Sequence, residues 1–173
     1  MPRASPVCPM APNRLIADLY RQHAQGLFSV ALSVLRDASA AEDAVHDAVS
    51  RVLDRGHIDG DAVAYLYASV RNAARDLMRR RRVRQADPID DGLFDPAWTA
   101  ETGMAHEGEL RRVLAEALAS LPAEQQEVLL MRAVGRLGFE QIAAAIGAPL
   151  GTVASRYSRG VNALRDQLQE VVQ

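Results

Sequence analysis

Lysine is missing from this chain: all 20 of its strongly basic side chains are arginine. A GC-rich genome produces the same bias, so it carries little functional weight. Cysteine is nearly missing too, with Cys8 alone in the Pro-rich start "MPRASPVCPMAP". One cysteine excludes an internal disulfide framework and any cysteine-built zinc site. It suits a reducing compartment, and the cytoplasm is the expected location. No apolar run is long enough to span a bilayer, and the start has no apolar h-region. Residues 1–12 read as a flexible tail, and no membrane insertion is expected. Recognisable catalytic patterns are absent as well. His23, His46, His57 and His106 are scattered, without metal-ligand spacing such as H-E-x-x-H. There is no Gly-rich phosphate loop and no nucleophile elbow. No enzymatic activity, metal or cofactor is expected. Aromatics are only 5% of the residues while Ala and Leu abound, which favours an all-α protein over a sandwich or barrel.

What the chain does have is helical periodicity. A first helix, capped by Asn13, carries Leu15, Leu19, Leu27, Val30, Ala31, Val34 and Leu35 at roughly helical spacing. Ser39 with Glu42 three residues on reads as a capping box for a second helix. That helix puts Ala41, Val45, Ala48, Val49, Val52 and Leu53 on one face. "GHIDGD", residues 56–61, is a turn-rich loop. A third helix begins near Asp61, repeats Val63, Leu66, Val70, Ala73, Ala74 and Leu77, and ends in "RRRRVR". Residues 13–84 therefore form one helical unit. Residues 85–105 have no sustained period and read as a linker. Leu93, Phe94 and Trp98 within it point to some contact. Period resumes over 106–173 with Leu110, Val113, Leu114, Ala117, Leu118 and Leu121. Pro122 and Glu124 suit the first turn of the helix "AEQQEVLLMRAV", and "FEQIAAAI" is a further short helix.

The stretch "FEQIAAAIGAPLGTVASRYSRG" fits a helix-turn-helix. Ala143 sits where two helices approach closely, and Gly147 suits a turn with positive φ. Ile142, Ile146 and Val153 would pack the two helices together. With Val153 and Tyr157 inward, Thr152, Ala154, Ser155, Arg156, Ser158 and Arg159 face outward or to the flanks. Small residues allow close approach to DNA. Hydroxyls and backbone N–H groups at a helix start bind phosphates. Arginine binds phosphate, or guanine with two hydrogen bonds. A plain helical hairpin with solvated arginines is the rival reading of this element.

The net charge of −2 hides strong blocks. Glu42, Asp43 and Asp47, with His46, make an acidic patch on the second helix. It suits a basic partner face, although dipole complementarity alone would also favour Glu42 and Asp43. Arg71, Arg75, Arg79 and Arg82 repeat at helical spacing and form a basic stripe, with Asp76 the one acid among them. Such a stripe neutralises phosphates. The bland account is a helix end favourably closed by arginines.

Three segments in order resemble bacterial sigma factors of the extracytoplasmic-function group. "SAAEDAVHDAVSRVL" resembles that family's polymerase-binding helix, and "AYLYASVRNAARDLMRRRRVR" its promoter-melting helix. "LPAEQQEVLLMRAVGRLGFEQIAAAIGAPLGTVASRYSRGVNALRDQL" is similar to its promoter-reading C-terminal domain. The resemblance implies two small helical domains joined by a flexible linker. It implies core RNA polymerase and promoter DNA as partners, with an anti-sigma factor as a further candidate partner. Carried over residue by residue, Glu42, Asp43, His46 and Asp47 would bind polymerase. Arg71, Asn72, Arg75, Arg79 and Arg82 would bind minus-ten DNA, with Tyr65 stacking on an unpaired base. His57, Asp59 and Asp61 lie where relatives capture a flipped base. Thr152, Ser155, Arg156 and Arg159 would read the minus-thirty-five element. The family usually has Gln at position 46, and basic residues where this chain has Ala154 and Val161. Two alternatives are a mimic that sequesters an anti-sigma factor and a stand-alone helix-turn-helix regulator. The Arg71–Arg84 block argues against the mimic. The acidic patch would be unexplained in the regulator.

Overall fold

The computed structural model describes residues 12–56, 58–84 and 105–172. They form seven helices and no strand. The first unit is α1 (Pro12–Leu35), α2 (Ala38–Arg55) and α3 (Ala62–Arg84). The second is α4 (Ala105–Ser120), α5 (Ala123–Ala133), α6 (Phe139–Ile146) and α7 (Leu150–Val172). The expected tail 1–12 and linker 85–105 lie almost wholly outside the described residues. No described helix is long and apolar enough to cross a membrane.

Aspartates set the starts of α2 and α3. Asp37 caps α2, accepting a hydrogen bond from the Ala40 amide at 2.8 Å. The expected Ser39–Glu42 capping box does not form, because Ala38 and Ser39 are already helical and Asp37 supplies the acceptor ahead of them. Asp61 caps α3 in the same way, accepting from the Ala64 amide at 2.9 Å. Asn13 falls inside α1, which begins at Pro12. The α1 stripe also differs in one place: Leu15 is 41% exposed and Ile16 is 1% exposed. Of the α2 and α3 stripes, Ala41, Val45, Ala48, Val52, Leu66, Val70, Ala73 and Ala74 are buried, Val49, Leu53, Val63 and Leu77 are half-buried against the same core, and Tyr67 joins it.

The three helices of the first unit all pack on one another. The second unit does not stand apart from them. Helix α5 lies against α1, and α6 lies along α3. Leu27, Val30, Leu66, Tyr67 and Val70 share one buried cluster with Val128, Met131, Leu137, Ile142 and Val153. The closest approach is at two glycines. A Cβ on Gly26 would lie 2.0 Å from the Tyr67 hydroxyl and 2.7 Å from Gly135 Cα. A Cβ on Gly135 would lie 2.6 Å from the same hydroxyl. Only residues without a side chain let α1, α3 and the turn after α5 meet there.

Candidate nucleic-acid interface

On α2, the small residues Ala40, Ala41, Ala44, Val45, Ala48 and Val52 are buried. That leaves Glu42, Asp43, His46 and Asp47 together on the exposed side. Asp47 pairs with Arg51 at 2.6 Å, and the His46 ring lies 6.4 Å from that of Tyr20. Glu42 and Asp43 remain exposed as a charged face suited to a basic partner.

Between α2 and α3 runs a cleft of about 290 Å³ lined by Arg51, Arg55, Tyr65, Ser69, Asn72 and Asp76, among others. The Tyr65 hydroxyl accepts a hydrogen bond from Arg55 at 2.5 Å. Arg51, Arg55 and Ser69 were not singled out by the sequence patterns. The signal for the two arginines is the four-residue step from Asp47 to Arg51 to Arg55, which puts all three on one helix face. Asp59 is exposed, and His57 lies outside the described residues. Asp61 is committed to structure. Besides capping α3, it accepts a hydrogen bond from the Gln141 side chain of α6 at 2.9 Å. These two bonds, the Ala64 amide first, hold its carboxyl below the usual carboxylate range.

The basic stripe on α3 is split. Arg79 and Arg82 are exposed, with Arg79 3.2 Å from Asp76. Arg81 reaches back to the capping Asp37 at 3.3 Å. Arg71 and Arg75 both turn to Glu127 of α5. Sequence patterns alone treat α5 as an ordinary amphipathic helix and pass over Glu127. The available signal was its place four residues before Met131, which puts a carboxylate on the buried face.

The helix-turn-helix forms as expected. Helix α6 ends at Gly147, with φ 67° and ψ 40°, and the Ala148 amide donates to the Ala143 carbonyl at 3.1 Å. Ile142, Ile146 and Val153 are buried between the helices. Phe139 and Tyr157 meet edge to face at 5.3 Å, with the Arg132 guanidinium 5.2 Å from the Phe139 ring. Ser155, Ser158 and Arg159 are exposed on α7, while Thr152 and Ala154 are half-buried. Arg159 donates to the Ser155 hydroxyl at 2.8 Å. Arg156 pairs with Glu124, at the start of α5, at 2.6 Å. Among the described residues no acidic or His/Cys group is arranged to hold a metal ion.

The described residues set an acidic helix beside a basic one in the first unit and a helix-turn-helix in the second, and two matches give this arrangement its class, the sigma-70 factors. Residues 19–84 match the family model for sigma-70 region 2, and 111–164 match that for sigma-70 region 4. The chain is 34% identical over 164 residues to the ECF RNA polymerase sigma factor SigL of Mycobacterium tuberculosis, covering 91% of this chain and 90% of SigL. It is 32% identical over 155 residues to SigE of Mycolicibacterium smegmatis, covering 87% of this chain and 60% of SigE. The chain belongs to the extracytoplasmic-function sigma factors. Its fold also matches the sigma factor RpoE of Bartonella quintana, solved with the anti-sigma factor NepR. There the TM-score is 0.69 at 24% identity, covering 91% of this chain and 98% of RpoE.

Proposed function

We propose that this chain binds core RNA polymerase through the acidic face of α2 and directs it to a two-element promoter. Glu42, Asp43 and Asp47, with His46 beside them, meet a basic polymerase surface. The basic residues of α3 follow the DNA backbone at the minus-ten element, and Tyr65 stacks on an unpaired base. The loop 56–61 lies beside that base. Helix α7 enters the duplex groove at the minus-thirty-five element, with Thr152 and Ser155 on phosphates and Arg156 and Arg159 on phosphate or guanine. The chain is a regulator and not an enzyme; the polymerase carries the chemistry. Polymerase and chromosome place its work in the cytoplasm. An anti-sigma factor is a fitting regulator, supported by the likeness to a sigma factor solved with one.

The observation that carries this reading is the pairing of both sigma-70 regions on one chain that aligns with SigL over nearly its full length. Co-elution of the purified chain with bacterial core polymerase on a sizing column tests it. Wild type should co-elute, and Asp43→Arg/Asp47→Arg should not. A well-folded wild type that fails to bind would favour the mimic or the stand-alone regulator.

A further inference from the structure

The most deeply buried acid among the described residues is Glu127, whose side chain is 3% exposed. Its two carboxylate oxygens are shared between two arginines of the other unit. Arg71 Nε donates to Oε1, and Arg75 Nη2 donates to Oε2 at 3.3 Å. Arg71 is 13% exposed and Arg75 43%. Leaving a carboxylate this buried without its arginines would be costly. The guanidinium group binds carboxylate and phosphate oxygens with the same geometry.

Resting on the DNA-binding role given above to α3, we infer that Glu127 is an internal stand-in for a promoter phosphate. It occupies the anion site that Arg71 and Arg75 form, and it closes the second unit over the strand-binding face of the first. Three observations carry this. The partners belong to different units, so the pair exists only while α5 and α3 are together. The arginine row is covered at one end only: Arg71 is 13% exposed, Arg75 bonds Glu127 yet is 43% exposed, and Arg79 and Arg82 further along the helix are exposed, with Arg79 beside Asp76. A strand can therefore land on the open end and advance toward Arg75 and Arg71 as Glu127 withdraws. Finally, the joint carries a built-in defect, because the buried Tyr67 hydroxyl beside Gly26 and Gly135 has no hydrogen-bond partner among the described residues. Withdrawal of Gly135 opens one side of that hydroxyl to water, so the closed form is held without being locked. Glu127 takes one N–H of each guanidinium and its charge offsets theirs, so closure and strand binding compete, and each weakens the other by the same factor.

The test uses the free full-length chain without polymerase. Donor and acceptor dyes are placed on cysteines replacing the exposed Ser50 and Ser158, with Cys8→Ser, and energy transfer reports the distance between units. Glu127→Gln should raise the open fraction about tenfold and tighten binding of a short single-stranded DNA by a similar factor. Arg71→Gln/Arg75→Gln should also open the chain, yet weaken DNA binding. Opposite signs on DNA with the same sign on opening are the signature of a displaced phosphate mimic. Opening by Glu127→Gln with no gain in DNA binding would overturn the inference, as would no opening in a variant with native helicity. If Glu127→Gln fails to fold, the unmodified pair still decides. The DNA added to wild type must lower energy transfer, and binding that leaves the distance unchanged would overturn the inference. Co-elution of wild type with polymerase is read separately, so the proposed function can stand while this device fails.

Discussion

The Tyr67 hydroxyl is buried at the joint with no partner among the described residues, and burial pushes its pKa up. A buried donor without a bond costs about 1–3 kcal/mol. Tyr67→Phe removes that group and keeps the ring, including its edge contact with His23 at 5.8 Å. Stability to urea should therefore rise by about 1 kcal/mol, where the same change at a bonded tyrosine lowers it. A fall in the midpoint would show that the hydroxyl has a partner. Two aspartates act in the opposite sense. Asp61 is held low by the Ala64 amide and then by Gln141, and Asp37 is held low first by the Ala40 amide. A carboxyl whose folded pKa lies below its unfolded value adds stability above the unfolded value of about 4. That stability is lost as pH falls through the folded value. Asp61→Ala should cost about 1 kcal/mol at neutral pH, and the gap from wild type should close in acid. Thermal melts at a series of pH values would check this; a gap independent of pH would remove the charge from the account.

At the level of the helix, position in the stripe decides what an arginine can do. Arg79 and Arg82 are exposed to solvent, so they are placed to meet the charge of an incoming strand first. Arg79→Gln/Arg82→Gln should flatten the plot of log affinity against log salt by about 0.7 for each phosphate of single-stranded DNA left without its arginine. An unchanged slope would take these two residues out of the interface. The helices themselves were largely legible. "FEQIAAAI" and the Gly147 turn stand where small residues, periodicity and a glycine predict them. The stripes of α2 and α3 were legible for the same reason: one helix face must be apolar. Leu15 and Ile16 were not separable by pattern, because both are apolar and only tertiary packing chooses between adjacent positions. The α2 cap was misplaced because Asp37 and Ser39 are both good caps, and the extended backbone at Asp37 settles the choice. Glu127 was hidden for a deeper reason. Its partners are more than fifty residues earlier, and no local pattern announces an acid that is buried because another unit brings it two arginines.

For the molecule as a whole, the shared core is the governing fact. The two units bury Tyr67, Val70, Val128, Met131 and Ile142 in one cluster. Heating the free chain should give one transition by both circular dichroism and tyrosine fluorescence, as expected when a single core breaks at once. Gly26→Ala forces a methyl group against the Tyr67 hydroxyl and Gly135 Cα, which should cost about 1–3 kcal/mol at the joint. It should split that single transition into two. Two transitions in wild type would mean that the joint contributes little to either unit.

The order in which the helices leave the ribosome gives the joint a further meaning. Helices α1 to α3 all pack on one another, and they are made first. The parts of α1 and α3 that α5 and α6 later cover are translated before those helices exist. At about 5–20 residues per second, that face waits for several seconds. In that interval Arg71 and Arg75 have no Glu127 to meet, so a nascent chain is open in a way that the finished molecule is not.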